Sequence, residues 1–185
     1  MNAALELRRH TRADLDDVRG LLIDVYAEVY ADRLDHPFWT VDRFAERLDG
    51  HVSAARWEAV VGWDAGQPVG YIYAAAVSSG SSWWTGLDPP VTDRSFAAET
   101  GTRTCAIFEL MVRQPWRGTG AARHLHDELV THRPEERASL AVERDHPRVR
   151  AMYERWGYRY VGASRPFPDA PLLDLMVLPL RGDSV

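Results

Sequence analysis

The densest group of chemistry-bearing residues is Val112-Arg-Gln-Pro-Trp-Arg117-Gly118-Thr119-Gly120-Ala121-Ala122. An apolar run from Thr104 to Val112 ends there, a glycine-containing turn follows, and a helical pattern begins at Ala121. Glycine lets a backbone approach a ligand without a Cβ in the way. The N–H groups of a first helical turn have no partner inside the helix, so they suit an anion, and the helix dipole favours one. Arg117 can add charge-assisted hydrogen bonds. This pattern predicts a diphosphate cradle made without lysine. The plain alternative is a strand–turn–helix whose glycines serve only the turn. A dinucleotide-binding fingerprint would need G-x-G-x-x-G, and Arg123 stands where the third glycine belongs. Glu143 does follow on the next predicted strand, but the hairpin and helices upstream depart from a βαβ repeat.

Composition removes other chemistries. All 22 basic residues are Arg, and Lys is absent, which excludes a P-loop lysine and any lysine Schiff base. One cysteine, Cys105, makes no intramolecular disulfide and no Cys-rich zinc site, and no metal is expected. Cys105 lies in an apolar run with no base beside it, as a buried inert thiol would. A net charge of -5 argues against nucleic acid or a basic membrane-binding face. The opening residues carry no apolar leader-like run, and no stretch of about 18 apolar residues occurs, so a cytoplasmic protein is expected.

The positioning elements follow from periodicity. The 185 residues suit one domain. Leu5 to Arg9 reads as a strand. Thr11 with Asp14 resembles a capping box for a helix carrying Leu15, Val18, Leu21, Leu22, Val25 and Val29. Thr40 caps a second helix with Val41, Phe44 and Leu48, and Gly50 is expected to stop it. Residues 57–63 and 69–77 form a hairpin around Asp64-Ala65-Gly66-Gln67. Residues 78–103 break the pattern as a Ser-, Gly- and Pro-rich insertion holding Trp83, Trp84 and Phe96. Thereafter come a strand to Val112, a helix from Ala121, a strand over 138–143, a helix from Pro147 to Trp156, and strands over 158–161 and 172–178. The order predicts an α/β or α+β fold with a mixed sheet.

The turn now gains a context. Arg117, Gly120 and Ala122 match the Arg/Gln-x-x-Gly-x-Gly/Ala signature of the GNAT acyltransferase superfamily, and Leu110-Met111-Val112 matches that family's Leu-x-Val strand ending. Leu140-Ala-Val142 followed by Pro147-Arg-Val-Arg-Ala-Met-Tyr153-Glu-Arg-Trp-Gly157-Tyr158 resembles its next strand, helix and closing Tyr-x-x-x-Gly-Phe. His146 stands where the family often has Asn. The specific part of the resemblance spans about residues 104–160.

The resemblance implies a mixed, mostly antiparallel seven-stranded sheet with about four helices, in which strands 104–112 and 138–143 splay to hold CoA. It implies acetyl-CoA as acyl donor, with diphosphate on the N–H groups of Arg117, Gly118, Thr119, Gly120, Ala121 and Ala122, and a weaker role for Arg123. The acyl carbonyl would meet N–H groups near Leu110, Met111 and Val112 as an oxyanion hole. Glu109, a carboxylate in an otherwise apolar strand, becomes the candidate general base, with Glu143 and His146 in reserve. His146 is also a candidate CoA partner. Tyr153 takes the position of the general acid that protonates the CoA thiolate. Acceptor contacts would come from Tyr30, Phe38, Trp39, Trp83, Trp84 and Phe167, as an aromatic wall for a planar, apolar or cationic group. The implied function is acetyl transfer to a primary amine of a small molecule by a ternary complex. A protein or peptide acceptor, a hydroxyl acceptor, and a non-catalytic acyl-CoA sensor remain alternatives, and Trp83-Trp84 could serve a homodimer contact.

Overall fold

Alternating apolar residues draw seven segments into strands, and the computed structural model, which describes residues 5–181, joins them in one sheet of order β1-β2-β3-β4-β5-β7-β6. The first four residues, on which the expected absence of a leader partly rests, and the last four lie outside the described residues. The strands are β1 Glu6–Thr11, β2 Glu58–Asp64, β3 Gln67–Ala76, β4 Thr104–Val112, β5 Arg137–Glu143, β6 Arg159–Ser164 and β7 Leu173–Pro179. The helices are α1 Leu15–Val29, α2 Val41–Val52, a one-turn α3 Arg94–Ala97 in the insertion, α4 Ala121–Thr131 and α5 Pro147–Arg155. The expected α/β class, with one parallel pair among antiparallel ones, holds. None of the described helices is long and apolar enough to cross a membrane.

Two compact units divide the chain, residues 5–75 with 108–133 and residues 76–107 with 134–181. In the first, β1 pairs antiparallel with β2 (Leu7↔Gly62), and β2 with β3 (Val60↔Ile72). The hairpin turn holds Ala65 and Gly66 at φ 47° and 80°, the paired positive values of a turn that matches strand twist. Alternation along β2 and β3 separates the helices by face. His51 of α2 meets Tyr73, and Leu125 of α4 meets Gly62 from the other side. Phe44, Leu48 and Val52 form the buried stripe of α2. That stripe carries the helix through Gly50 to Val52, beyond the expected stop. Burying Val52 outweighs the roughly 1 kcal/mol cost of a helical glycine.

In the second unit, β4 pairs parallel with β5 from Thr104↔Arg137 to Ile107↔Leu140. β5 and β6 both pair antiparallel with β7. The insertion is anchored rather than loose. Trp84 and Leu87 are buried against Leu175, and the Arg137 guanidinium lies 4.7 Å from the Trp84 ring and 4.3 Å from Phe96. Glu99 ties these together, accepting from Trp84 Nε1, Thr104 Oγ1 and Arg137 Nη2 at 2.7, 2.7 and 2.9 Å.

The β3–β4 pairing carries an irregularity. Val77 N–H donates to Thr104 O at 2.8 Å, and Arg113 N–H to Val69 O at 2.9 Å. These bonds run antiparallel but differ by one residue in register, so one strand holds an extra residue between them.

Candidate active site

Glu109 lies on β4, in the first unit, among side chains that arrive from three other elements. On β3, Tyr71 and Tyr73 share a face. Tyr71 Oη lies 3.2 Å from Met111 Sδ, which puts Met111, and Glu109 two residues before it, on that same face. Phe108 should then point the other way, yet it stacks on His51 of α2 at 3.8 Å and 8°. The extra residue in the pairing lets two consecutive side chains meet one helix. His51 Nδ1 lies 3.1 Å from Tyr73 Oη. One turn earlier, Arg47 donates from Nη1 to Phe38 O at 3.0 Å and from Nη2 to Tyr26 Oη at 3.4 Å.

This environment sets the charges. Burial pushes the Glu109 carboxyl up to about 7, with the Arg47 guanidinium opposing it more weakly. Part of Glu109 stays open to solvent, and its carboxylate makes no hydrogen bond or ion pair with any described residue. Loss of hydration without a compensating partner is what raises a carboxyl. Burial lowers His51 to about 4, helped by Arg47, so its ring is neutral at pH 7. Tyr71 and Tyr73 are pushed well above the usual phenol range, mainly by burial and next by the Glu109 charge, so both stay protonated.

Beside Glu109 runs the segment Leu110 to Val112. Met111 is buried, and a Cβ on Gly70 would sit 2.1 Å from Met111 O and 2.9 Å from Val112 Cα. Only glycine lets the two backbones approach so closely. Gly70→Ala should lower the urea midpoint by an amount worth about 2 kcal/mol or more, since overpacking here pushes on backbone. A midpoint within error of the wild type would show that β4 can yield at this point.

The turn after β4 is built as an anion cradle needs. Gly118 and Gly120 have φ 79° and 94°, and a Cβ at either would meet nothing within 4 Å. Open space and positive φ together make these glycines conformational, with room above them. Gly120 is the N-cap of α4, whose first turn holds no acidic residue. Two of the expected donors serve the turn itself, since Arg117 N–H donates to Gln114 O at 3.1 Å and Thr119 N–H to Trp116 O at 3.4 Å. Among the expected donors, Gly118, Gly120, Ala121 and Ala122 are then the ones whose N–H groups no described backbone bond takes up. Arg117 Nε donates to Val112 O at 3.0 Å, and Arg123 Nε pairs with Asp127 at 2.6 Å.

Tyr30, Phe38 and Trp39 do come together. Tyr30 stacks on Trp39 at 4.6 Å, and Phe38 meets Trp39 edge-on at 4.7 Å. Their faces already carry guanidinium groups: Arg33 lies 4.2 Å from Trp39, and Arg43 and Arg47 lie 5.2 and 4.9 Å from Phe38.

The remaining candidates belong to the second unit. Tyr153 on α5 is 8% exposed and packs edge-on against Trp156 and Tyr158 at 5.3 and 5.5 Å. His146 is the N-cap of α5, with Pro147 next, and its carbonyl accepts from Val149 and Arg150 N–H. Trp83 Nε1 donates to Ser139 Oγ at 3.0 Å, whereas Trp84 is held in the insertion's cluster. Phe167 is 46% exposed.

The model of the acetyltransferase (GNAT) family matches residues 17–158. The chain belongs to the GNAT acetyltransferase family. It is therefore an acyltransferase-class enzyme. No curated protein matches it. Its fold is similar to that of an acetyltransferase from Thermus thermophilus, at 18% identity and TM-score 0.62, covering 96% of this chain and 97% of that one. Ard1 from Thermoplasma volcanium has 14% identity and TM-score 0.62, covering 96% and 98%. A spermidine N-acetyltransferase chimera from Vibrio cholerae and hSSAT has 16% identity and TM-score 0.61, covering 96% of each chain.

GNAT acetyltransferases use acetyl-CoA as co-substrate. The residues of the turn fit its diphosphate: open space over two glycines, the free N–H groups of a helix start, and no carboxylate in the first turn of α4. Sequence reasoning missed Arg47, His51, Tyr71 and Tyr73 as neighbours of Glu109. Arg47 and His51 lie four residues apart on α2, beside its buried stripe, and that spacing was the available signal.

Proposed function

We propose that this GNAT enzyme transfers the acetyl group of acetyl-CoA directly to the primary amine of a small molecule, with Glu109 as general base. One observation carries this: a partly accessible carboxylate that no described residue hydrogen-bonds or ion-pairs, raised to about 7 by burial. An alkylammonium with pKa near 10.4 must lose its proton before it can attack, which costs about 4.6 kcal/mol at pH 7. A base poised near 7 is suited to accept that proton. The amine nitrogen then attacks the thioester carbon, with N–H groups near Met111 and Val112 facing the developing oxyanion. The C–S bond breaks, and the CoA thiolate takes a proton from the Tyr153 phenol. The surplus proton on the acylated nitrogen is released and restores that phenol, while the proton on Glu109 leaves to solvent. Phe38, Trp39 and Tyr30 line the acceptor side in this reading, and the chain acts as one cytoplasmic domain with 78–103 as an insertion.

Calorimetric titration with acetyl-CoA, with NADH and ATP as controls, tests the donor. Selective 1:1 binding followed by thiol release with primary amines is expected. A folded sample that ignores acetyl-CoA would end the proposal. Tyr153→Phe should lower kcat roughly 10²-fold or more while the acetyl-CoA Kd stays near that of the wild type. Unchanged turnover would remove Tyr153 from the acid role.

A further inference from the structure

Arg47 is an unusual cation. A guanidinium has five N–H donors, and those of Arg47 meet only neutral acceptors, Phe38 O and Tyr26 Oη, at 3.0 and 3.4 Å. No described carboxylate forms an ion pair with it, Glu109 acting on it only through space, and the side chain is only partly exposed and lies 4.9 Å from the Phe38 ring. A charge withdrawn this far from water is stabilised by an anion in good geometry. Arg47 and His51 lie one turn apart on α2, and His51 stacks on Phe108, the residue before Glu109. Arg47 of α2 also acts electrostatically on Glu109 of β4, without an ion pair between them, so the cation and the candidate base are near enough to engage one molecule.

We propose that the acceptor is an amine that also bears a carboxylate, and that Arg47 binds that carboxylate while Glu109 receives the amine's proton. This rests on the acetyl-transfer reading of Glu109. A planar guanidinium fork matches a carboxylate bidentately, which a lysine would not. The aromatic shelf points the same way. Trp39 and Phe38 already carry Arg33 and Arg43 at 4.2 and 5.2 Å, so those ring faces are taken and offer a second cation little stacking surface.

The test uses matched acceptors: phenylalanine against phenethylamine, tyrosine against tyramine, and spermidine, each with acetyl-CoA and a thiol-release readout. The carboxylate-bearing member should have the higher kcat/KM, by about 10- to 100-fold for one charge-assisted pair. Arg47→Met should bring that ratio close to one, and Arg47→Lys should keep part of it. The ratio isolates recognition. If Arg47 only props the Phe38 segment or tunes Glu109, both members fall together and the ratio stays, which overturns the proposal. Preference for the plain amines or for spermidine in the wild-type protein also overturns it, and leaves acetyl transfer standing. Absence of thiol release with every acceptor, in protein that binds acetyl-CoA, sinks the transfer reading and this proposal with it. Thermal unfolding of both variants confirms that folded proteins are compared.

Discussion

Replacing Glu109 with Gln should make the enzyme much slower and, above neutral pH, more stable. Turnover should fall by roughly 10²–10⁴-fold at pH 7, the usual worth of a positioned base, with acetyl-CoA binding retained. The wild-type kcat/KM should rise with pH through about 7, where the Glu109 carboxyl ionises, and the variant should lose that limb. Stability follows from the same shift. The carboxyl ionises near 4.5 in an unfolded chain and near 7 in the folded one, because burial disfavours its charge. Between those values the folded state holds more protons, so wild-type stability declines as pH rises and levels off above the folded value. Glutamine has the same shape and no charge, so it escapes that decline. Urea midpoints should coincide near pH 4 and favour the variant near pH 8 by on the order of 1–3 kcal/mol. A variant that keeps wild-type turnover would dismiss Glu109 as the base. A variant less stable at pH 8 would mean that the carboxylate has a favourable partner after all.

Local pattern carried much of the fold and part of the site. The hairpin at Asp64 to Gln67, the turn at 117–120 and the helix from Pro147 are each set by residues close in sequence: paired positive-φ positions, glycines before a helix start, and a proline at a first helical position. Such features are legible because the physics that makes them is local. The continuation of α2 past Gly50 is not local, since it depends on where Val52 is buried. The neighbours of Glu109 were hidden for the same reason. Nothing in the sequence alone sets Tyr71, Tyr73 or Arg47 apart until β3 and α2 pack beside β4. The aromatic residues proposed for the acceptor side were visible in the sequence. Their occupation by arginines was not, and it changes which acceptor they suit. The open space over Gly118 and Gly120, which leaves room for a ligand at the turn, depends on what packs nearby and is not written in the local pattern.

Gly120→Asp should abolish acetyl-CoA binding while leaving the fold intact, a separation that few substitutions at a glycine with positive φ would achieve. The φ of 94° penalises most side chains, but Asp and Asn are among the residues that visit the left-handed region most readily. Space is not limiting, since nothing lies within 4 Å of the added Cβ. Asp is moreover a favoured N-cap, and its carboxylate would accept from the N–H groups of the first turn of α4 with the help of the helix dipole. Those are the donors a diphosphate requires. The variant therefore supplies its own anion to the site and repels a second one. At about 4 Å and an effective dielectric near 20, one pair of unit charges repels by roughly 4 kcal/mol, so binding should weaken by more than about 10²-fold. Gly120→Asn has nearly the same shape and no charge, and should weaken binding by only about tenfold. Equal losses in both variants would assign the effect to the Cβ rather than to the anion. Full affinity in Gly120→Asp would remove the diphosphate from the start of α4, and the turn would then be only the strand–turn–helix that its glycines alone require.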